Sequence, residues 1–312
     1  MKLIKKIKKN AFKYPNRLCL VAKNYEITYS EFWEKVKIFS NFLLKKSKNK
    51  VPVVCIHETK SVYDYIAMIA TLNAGGTYVP INSTIPKKKI IKLIELSNAN
   101  FFCTTKSLRS KLSSIKNAYF YETIVTCKYN LKKKKLKPNN IAYIMFTSGS
   151  TGEPKGVKIS KASLDVYVNW LINKFKLNIK SNLSQFPSIS FDLSVADIYL
   201  SLCKGLKLII PDTYYYYFPS EFIYKYKINH LTCTPTLLNL ISNSKKLKKT
   251  HIESLQSITV MGEQLFDFQI IKILKQNPSV RIYNCYGPTE ATVSVTSLKI
   301  NLRNLNMNTN KN

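Results

Sequence analysis

Between Ala142 and Ser160 the chain reads AYIMFTSGSTGEPKGVKIS. An apolar run gives way to Thr147, Ser148, Gly149, Ser150, Thr151 and Gly152, all small or hydroxylated. Glycines let the backbone curl so that amide N–H groups converge on a phosphate, and the hydroxyls add donors. Lys155 supplies a mobile cation, and Pro154 stiffens the turn leading to it. This is no Walker A loop, because G-x-x-x-x-G-K-[ST] is not satisfied. A flexible Ser/Gly surface loop would account for the tract alone. It accounts for neither the strand before it nor the P-K-G-V continuation.

Two further stretches carry residues fit for chemistry. In SFDLSVADIY (Ser190–Tyr199), Asp192 falls between apolar residues at a strand-to-helix junction. Two roles are open to it: a helix N-cap, or a buried anion that pairs with the ammonium of an amino acid, since a buried charge needs a partner. In NCYGPTEATVSV (Asn284–Val295), Gly287 and Pro288 make a sharp turn after a strand. That turn sets Tyr286, Thr289 and Glu290 at the C-terminal edge of the sheet, where open α/β sheets bind ligands. Tyr286 suits a purine face, Thr289 a phosphate, and Glu290 a Mg²⁺ ion as a hard oxygen ligand. Met261, Gly262 and Glu263 end another strand on the same edge.

The elements that must position these residues are legible in the apolar spacing. Leu3–Phe12, Glu31–Leu44 (with Ser30 as expected N-cap), Val62–Leu72 and Lys87–Ser97 read as helices. Val51–Ile56, Tyr78–Ile81 and Asn100–Thr104 read as buried strands. Lys128–Asn140, charged and containing Pro138, reads as a linker. Beyond it, strands are expected at 141–146, 156–159, just before Phe191, and at 206–210, 231–233, 257–261 and 281–284. Helices are expected at 162–175, 194–202, 218–225, 236–242 and 266–275, and Tyr214–Tyr217 as loop and strand edge. The alternation predicts an α/β fold of two Rossmann-like subdomains, with mostly parallel sheets flanked by helices. The expected division is residues 1–138, residues 139–300 carrying the nucleotide and amino-acid site, and a polar tail at 301–312.

Composition narrows the class. The 312 residues hold 49 Lys and Arg against 17 Asp and Glu, a net charge of +32. Nearly all of this is lysine in runs, with arginine only at positions 17, 109, 281 and 303. Bidentate readers of bases and phosphates are usually arginine, so the charge reads as compositional bias rather than nucleic-acid binding. No apolar run reaches the ~20 residues of a membrane helix, and the basic N-terminus lacks the apolar segment of a secretory signal. Seven scattered cysteines without a C-x-x-C pair fit reduced thiols in a cytoplasm.

Taken in this order and spacing, the three stretches resemble the core motifs of the adenylate-forming superfamily of acyl-CoA synthetases, luciferases and amino-acid adenylation domains. Upstream, ITYSEF (Ile27–Phe32) resembles that family's L-T-Y-x-E-L motif, and LNAGGTYVP (Leu72–Pro80) its K-A-G-x-x-Y-V-P motif. FDLSVADIY and NCYGPTEATV are most similar to the amino-acid-activating branch: D-alanine–D-alanyl carrier protein ligases and peptide-synthetase adenylation domains. The resemblance implies ATP and Mg²⁺ as cofactors, an amino acid as substrate, and a carrier protein with a phosphopantetheine thiol as partner.

By the same resemblance, Thr147–Gly152 and Lys155 would hold the β- and γ-phosphates. Gly262, Glu263, Asn284, Cys285, Tyr286 and Gly287 would frame the adenine, Thr289 would touch the α-phosphate, and Glu290 would bind Mg²⁺. Asp192 would take the substrate ammonium, and Leu193, Ala196, Thr232, Met261, Cys285 and Val293 would line an apolar side-chain pocket. The family continues past YGPTEAT into a T-G-D motif, a hinge and a mobile lid bearing the adenylation lysine. The expectation is therefore the N-terminal large lobe of such an enzyme without its lid. The alternatives are a non-catalytic nucleotide-binding remnant and an acyl-CoA-synthetase-like carboxylate ligase; Asp192 argues against the second.

Overall fold

A computed structural model of the protein describes residues 1–23, 25–112, 114–127, 129, 138–148, 152–244, 249–300 and 305. The expected linker lies mostly outside the described residues, as do Gly149, Ser150 and Thr151 of the phosphate-loop tract and nearly all of the expected tail.

The chain opens with α1 (Lys2–Lys13), β1 (Leu18–Ala22), β2 (Tyr25–Thr28) and α2 (Tyr29–Lys46). It continues through β3 (Val53–His57), α3 (Val62–Asn73), β4 (Thr77–Ile81), α4 (Lys87–Leu96), β5 (Phe101–Thr104), β6 (Ala118–Phe120) and α5 (Tyr121–Thr126). Next come β7 (Ile141–Ser148), β8 (Pro154–Ser160), α6 (Lys161–Lys174), β9 (Asn182–Ser184), α7 (Leu193–Lys204) and β10 (Lys207–Ile209). The remainder is α8 (Thr213–Tyr217), α9 (Pro219–Tyr226), β11 (Ile228–Cys233), α10 (Pro235–Ser242), α11 (Lys249–Ile252), β12 (Ser257–Val260), α12 (Asp267–Gln276), β13 (Arg281–Tyr286) and β14 (Thr296–Lys299).

These strands form two sheets. One has six strands in the order β6-β5-β3-β4-β7-β8, the other eight in the order β14-β13-β12-β11-β9-β10-β1-β2. Inner pairs are parallel, as buried strands joined by crossover helices must be. The antiparallel pairs lie at the edges: β1–β2, β7–β8 and β13–β14. Sheet membership does not follow the division at 138/139. β1 and β2 join the eight-stranded sheet by the parallel pairing of β1 with β10, whereas β7 and β8 complete the six-stranded one.

Local chemistry explains the elements. In α1 the apolar residues Leu3, Ile4, Ile7 and Ala11 are buried while the lysines face outward. Burying each of the larger ones contributes ~1.5–3 kcal/mol. The cap of α2 is Thr28, not the expected Ser30: its hydroxyl accepts from the Glu31 amide, and Glu31 reaches back to the Thr28 amide. Both residues can cap a helix, but only Thr28 has a glutamate three positions on, which closes the reciprocal box. Tyr214–Tyr217 is helical, started by the Asp212 carboxylate accepting from the Tyr214 amide.

Candidate active site

Two of the chemistry-bearing stretches meet across the gap between the sheets. β7 carries Thr147 and Ser148 to its C-terminal end, and the chain returns along β8 with Thr147 opposite Lys155. Gly152 turns the chain at φ +78°, a conformation open to glycine at no steric cost. On the other side, β13 delivers Asn284, Cys285 and Tyr286 to its own C-terminal end, followed by the Gly287–Glu290 turn. Lys155 Nζ stands 3.7 Å from Glu290 Oε1, so the ends of both motifs are within one ion pair of each other. Both partners are more than half exposed. Such a pair adds little stability and leaves both groups open to a ligand.

A cleft of about 530 Å³ opens there, lined by Thr147, Ser148, Gly152, Ser190, Phe191, Asp192 and Thr289 among others. Asp192 occupies the N-cap position of α7, yet its side chain makes no capping hydrogen bond. Of the two roles open to it, the cap is therefore the weaker. The carboxyl is buried, and burial raises its pKa above the ordinary value. The Thr289 hydroxyl and the amides of Leu193 and Asp192 oppose that rise, while the Glu290 charge adds to it. The carboxyl thus stands in the cleft wall, buried but held by hydroxyl and amide donors.

The second strand edge completes the setting. β12 and β13 are parallel neighbours with Val260 opposite Asn284, which sets Met261 and Gly262 beside Cys285 and Tyr286. A side chain at Gly262 (φ +94°) would lie 3.6 Å from the Leu193 methyls, so this turn abuts the start of α7. Tyr286 is 70% exposed, which leaves its ring face open. A Cβ at Gly287 would fall 2.6 Å from the Ser294 backbone, which restricts that position to glycine. Thr292 and Val293 both adopt left-handed φ, +66° and +72°. β-Branched residues rarely do so, and the turn stores strain where Val293 is buried in the core. Glu263 is engaged elsewhere: its carboxylate accepts from the Thr236 amide and hydroxyl at the start of α10.

Some of the lining escaped the motifs. Asn82, Thr84 and Lys89 border the cleft just beyond the AGGTYVP stretch. Glu58, at the end of β3, accepts from the Ser188 hydroxyl at 2.5 Å and from the Ile189 amide at 3.2 Å. It thereby ties the first sheet to the segment that carries Asp192. The one signal for Glu58 was a carboxylate directly after a buried strand.

Residues 7–311 match the family model described as AMP-binding enzyme. The chain belongs to that family. Among curated proteins it is 31% identical over 304 residues to the D-alanine–D-alanyl carrier protein ligase of Staphylococcus epidermidis, covering 94% of this chain and 60% of the relative. It is 28% identical over 292 residues to a linear gramicidin synthase of Brevibacillus parabrevis, covering 93% of this chain and 4% of that one. Among solved structures, the nonribosomal peptide synthetase FmoA3 superposes with a TM-score of 0.87 at 22% identity, over 96% of this chain and 32% of that one. The Vibrio cholerae adenylation domain AlmE, solved with glycyl-adenosine-5′-phosphate, gives 0.83 at 24%, over 95% and 61%. These neighbours share the expected fold of mostly parallel sheets flanked by helices. The chain spans about 60% of the length of the carrier-protein ligases it matches.

Proposed function

We propose that this AMP-binding chain holds ATP and an amino acid in the cleft between β7–β8 and the Gly287–Glu290 turn, and serves amino-acid activation as aminoacyl-AMP. The observation that carries the reading is Asp192. It is a buried, uncapped carboxylate beside the Thr289 hydroxyl, in a cleft whose other wall ends in Thr147, Ser148 and Gly152. An uncharged acyl substrate has no use for it, whereas an α-ammonium pairs with it and offsets its desolvation. The curated relatives named for D-alanine support the amino-acid class.

In this reading the amino-acid carboxylate attacks the α-phosphorus. A carboxyl O–P bond forms, the bond to the β-phosphate bridging oxygen breaks, and pyrophosphate leaves. The chain's residues act by position and charge. Asp192 fixes the ammonium end, Lys155 and the Thr147–Gly152 tract hold the β- and γ-phosphates, and Thr289 donates to the α-phosphate. Gly262 and Tyr286 flank the adenine. Glu290 fits Mg²⁺, which is commonly held by one or two carboxylates together with substrate phosphates. It is an exposed carboxylate at the phosphate end of the cleft, 3.7 Å from Lys155 Nζ. The ion would neutralise phosphate charge. Transfer to a phosphopantetheine thiol of a carrier protein, with release of AMP, follows from the same reading. We place the protein in the cytoplasm, where its seven free cysteines stay reduced. Among the described residues no helix is long and apolar enough to cross a membrane.

The test uses two non-hydrolysable adenylates, alanyl- and propionyl-sulfamoyladenosine, titrated calorimetrically into the protein and into Asp192→Asn. The alanyl compound should bind the wild type at least ~10-fold tighter than the propionyl one, and Asp192→Asn should erase that preference, the loss of one partner of a buried pair being costly. Equal binding of both by the wild type would move the assignment to carboxylic acids without an amine.

A further inference from the structure

Glu58 has no part in the chemistry described so far. It follows β3, is 4% exposed, and its amide donates to the carbonyl of Ile81 at the end of β4, which seats it in the six-stranded sheet. Its two carboxylate oxygens reach across to the segment before α7. Oε2 accepts from the Ser188 hydroxyl at 2.5 Å and Oε1 from the Ile189 amide at 3.2 Å. Ser188 Oγ lies 2.8 Å from Ser190 Oγ and accepts from the Ser190 amide at 3.2 Å. Asn82 Nδ2 is farther from it, at 3.5 Å. Ser190 and Asp192, two residues apart, both line the cleft of about 530 Å³. A chain of three side chains thus runs from a buried carboxylate to the wall of the proposed amino-acid site.

The direction of that chain follows from counting protons. A serine hydroxyl has one proton to give and two lone pairs. The Ser188 proton goes to Glu58, so in the contact between the two serines the donor is Ser190. With its proton committed, Ser190 has only lone pairs to present to the cleft. An α-ammonium brings three N–H donors. Asp192 already accepts from the Thr289 hydroxyl and from backbone amides, so an ammonium beside it has use for a second acceptor. We propose that Glu58 is a positioning residue for the ammonium site: through Ser188 it makes Ser190 an acceptor, and the substrate ammonium donates to both Ser190 and Asp192. This rests on the reading of Asp192 as the ammonium site. Glu58→Gln keeps the shape and reverses the chain. The new amide oxygen must face the Ile189 N–H, because an NH₂ there would set donor against donor, and so its NH₂ donates to Ser188 Oγ. That bond and the Ser190 amide fill both lone pairs of Ser188. The Ser188 proton then turns to Ser190, and the Ser190 proton turns into the cleft, against an ammonium.

The experiment measures calorimetric binding of alanyl-sulfamoyladenosine, propionyl-sulfamoyladenosine and AMP to the protein, Ser190→Ala, Glu58→Gln and the double variant. The readout is the alanyl-to-propionyl affinity ratio within each protein, which is insensitive to a general loss of folded material. Ser190→Ala should lower the ratio roughly 5-fold, the loss of one hydrogen bond to a charged group. Glu58→Gln should lower it at least as far while leaving AMP affinity unchanged. In the Ser190→Ala background Glu58→Gln should have no further effect on the ratio, because the reversed chain no longer has a route to the ligand. A residue that merely braced the segment would act the same in both backgrounds, and that additive result overturns the inference. So does a ratio unmoved by Ser190→Ala, or a Glu58→Gln protein that loses AMP and both adenylates in step. Each of those results leaves the adenylation reading intact. A wild-type ratio of one sinks the Asp192 reading and this inference together.

Discussion

Two buried groups, His230 and Asp64, have shifted proton affinities that pull in opposite directions. His230 is fully buried, its Nδ1 2.7 Å from the Ser257 hydroxyl and its ring 4.6 Å from that of Phe175. Burial, aided by the Arg281 charge, lowers its pKa from the ordinary 6.5 to about 3. The unfolded chain therefore takes up this proton first on acidification. The stability His230 contributes is complete above about pH 6.5 and is lost as pH falls towards 3. Asp64 works the other way: burial raises it to about 7, so its contribution is greatest at low pH and disappears as pH rises through 7. Asp192 and Asp197 have the same sign as Asp64. His230→Asn isolates the histidine. Wild type minus variant in unfolding free energy should shrink between pH 7 and pH 5, by about 1.4 kcal/mol per pH unit once below the unfolded pKa. A pH-independent difference would mean that the folded imidazole takes up its proton as readily as the unfolded one. The motif residues could be found in sequence because phosphate chemistry demands glycines, hydroxyls and a lysine close together. The full burial of Asp197 against the Thr232 hydroxyl could not, because nothing in FDLSVADIY says which of two acids five positions apart faces the core.

At the level of elements, the long helices, most buried strands and the edge strand β8 were legible, whereas β1, β2, β6, β14 and the short helices were not. Inner strands such as Val53–His57 and Thr77–Ile81 are continuous apolar runs flanked by turns. β1 and β2 are short, and β2 is half exposed with a single buried residue, Ile27. Such a segment has no alternation strong enough to separate it from a loop. β14 escaped for the same reason: none of its four residues is buried. Helix α2 shows how a local signal gets mislocated by two residues, since Ser30 and Thr28 both fit a cap and Glu31 decides between them. Thr28→Ala removes the hydroxyl that accepts from Glu31 N and should cost ~1 kcal/mol, measured by urea unfolding. Ser30→Ala should change stability by less than half of that. A larger loss at Ser30 would return the cap to that residue.

On the scale of the whole molecule, what sequence could not show is how the two sheets share the chain. β1 reaches the second sheet by pairing with β10, almost two hundred residues away in sequence, with Leu20 opposite Leu208. The β7–β8 hairpin closes the first sheet through a β4–β7 contact at Tyr78 and Tyr143. Register over such separations is set by core packing, in which Tyr29, Tyr78, Tyr143 and Tyr199 are all fully buried, and no local pattern encodes it. The consequence for function is direct. β8 carries Lys155 from the first sheet, β13 leads to Glu290 from the second, and the cleft exists because those sheets abut. In the proposed function this seam holds an aminoacyl-adenylate. A crystal structure of the protein with a bound aminoacyl-sulfamoyladenosine tests it most directly. The α-ammonium should lie within ~3 Å of an Asp192 carboxylate oxygen, the adenine between Gly262 and Tyr286, and the sulfamoyl group at Thr289. A ligand seated outside the cleft, or in it with the ammonium turned away from Asp192 towards solvent, would contradict it.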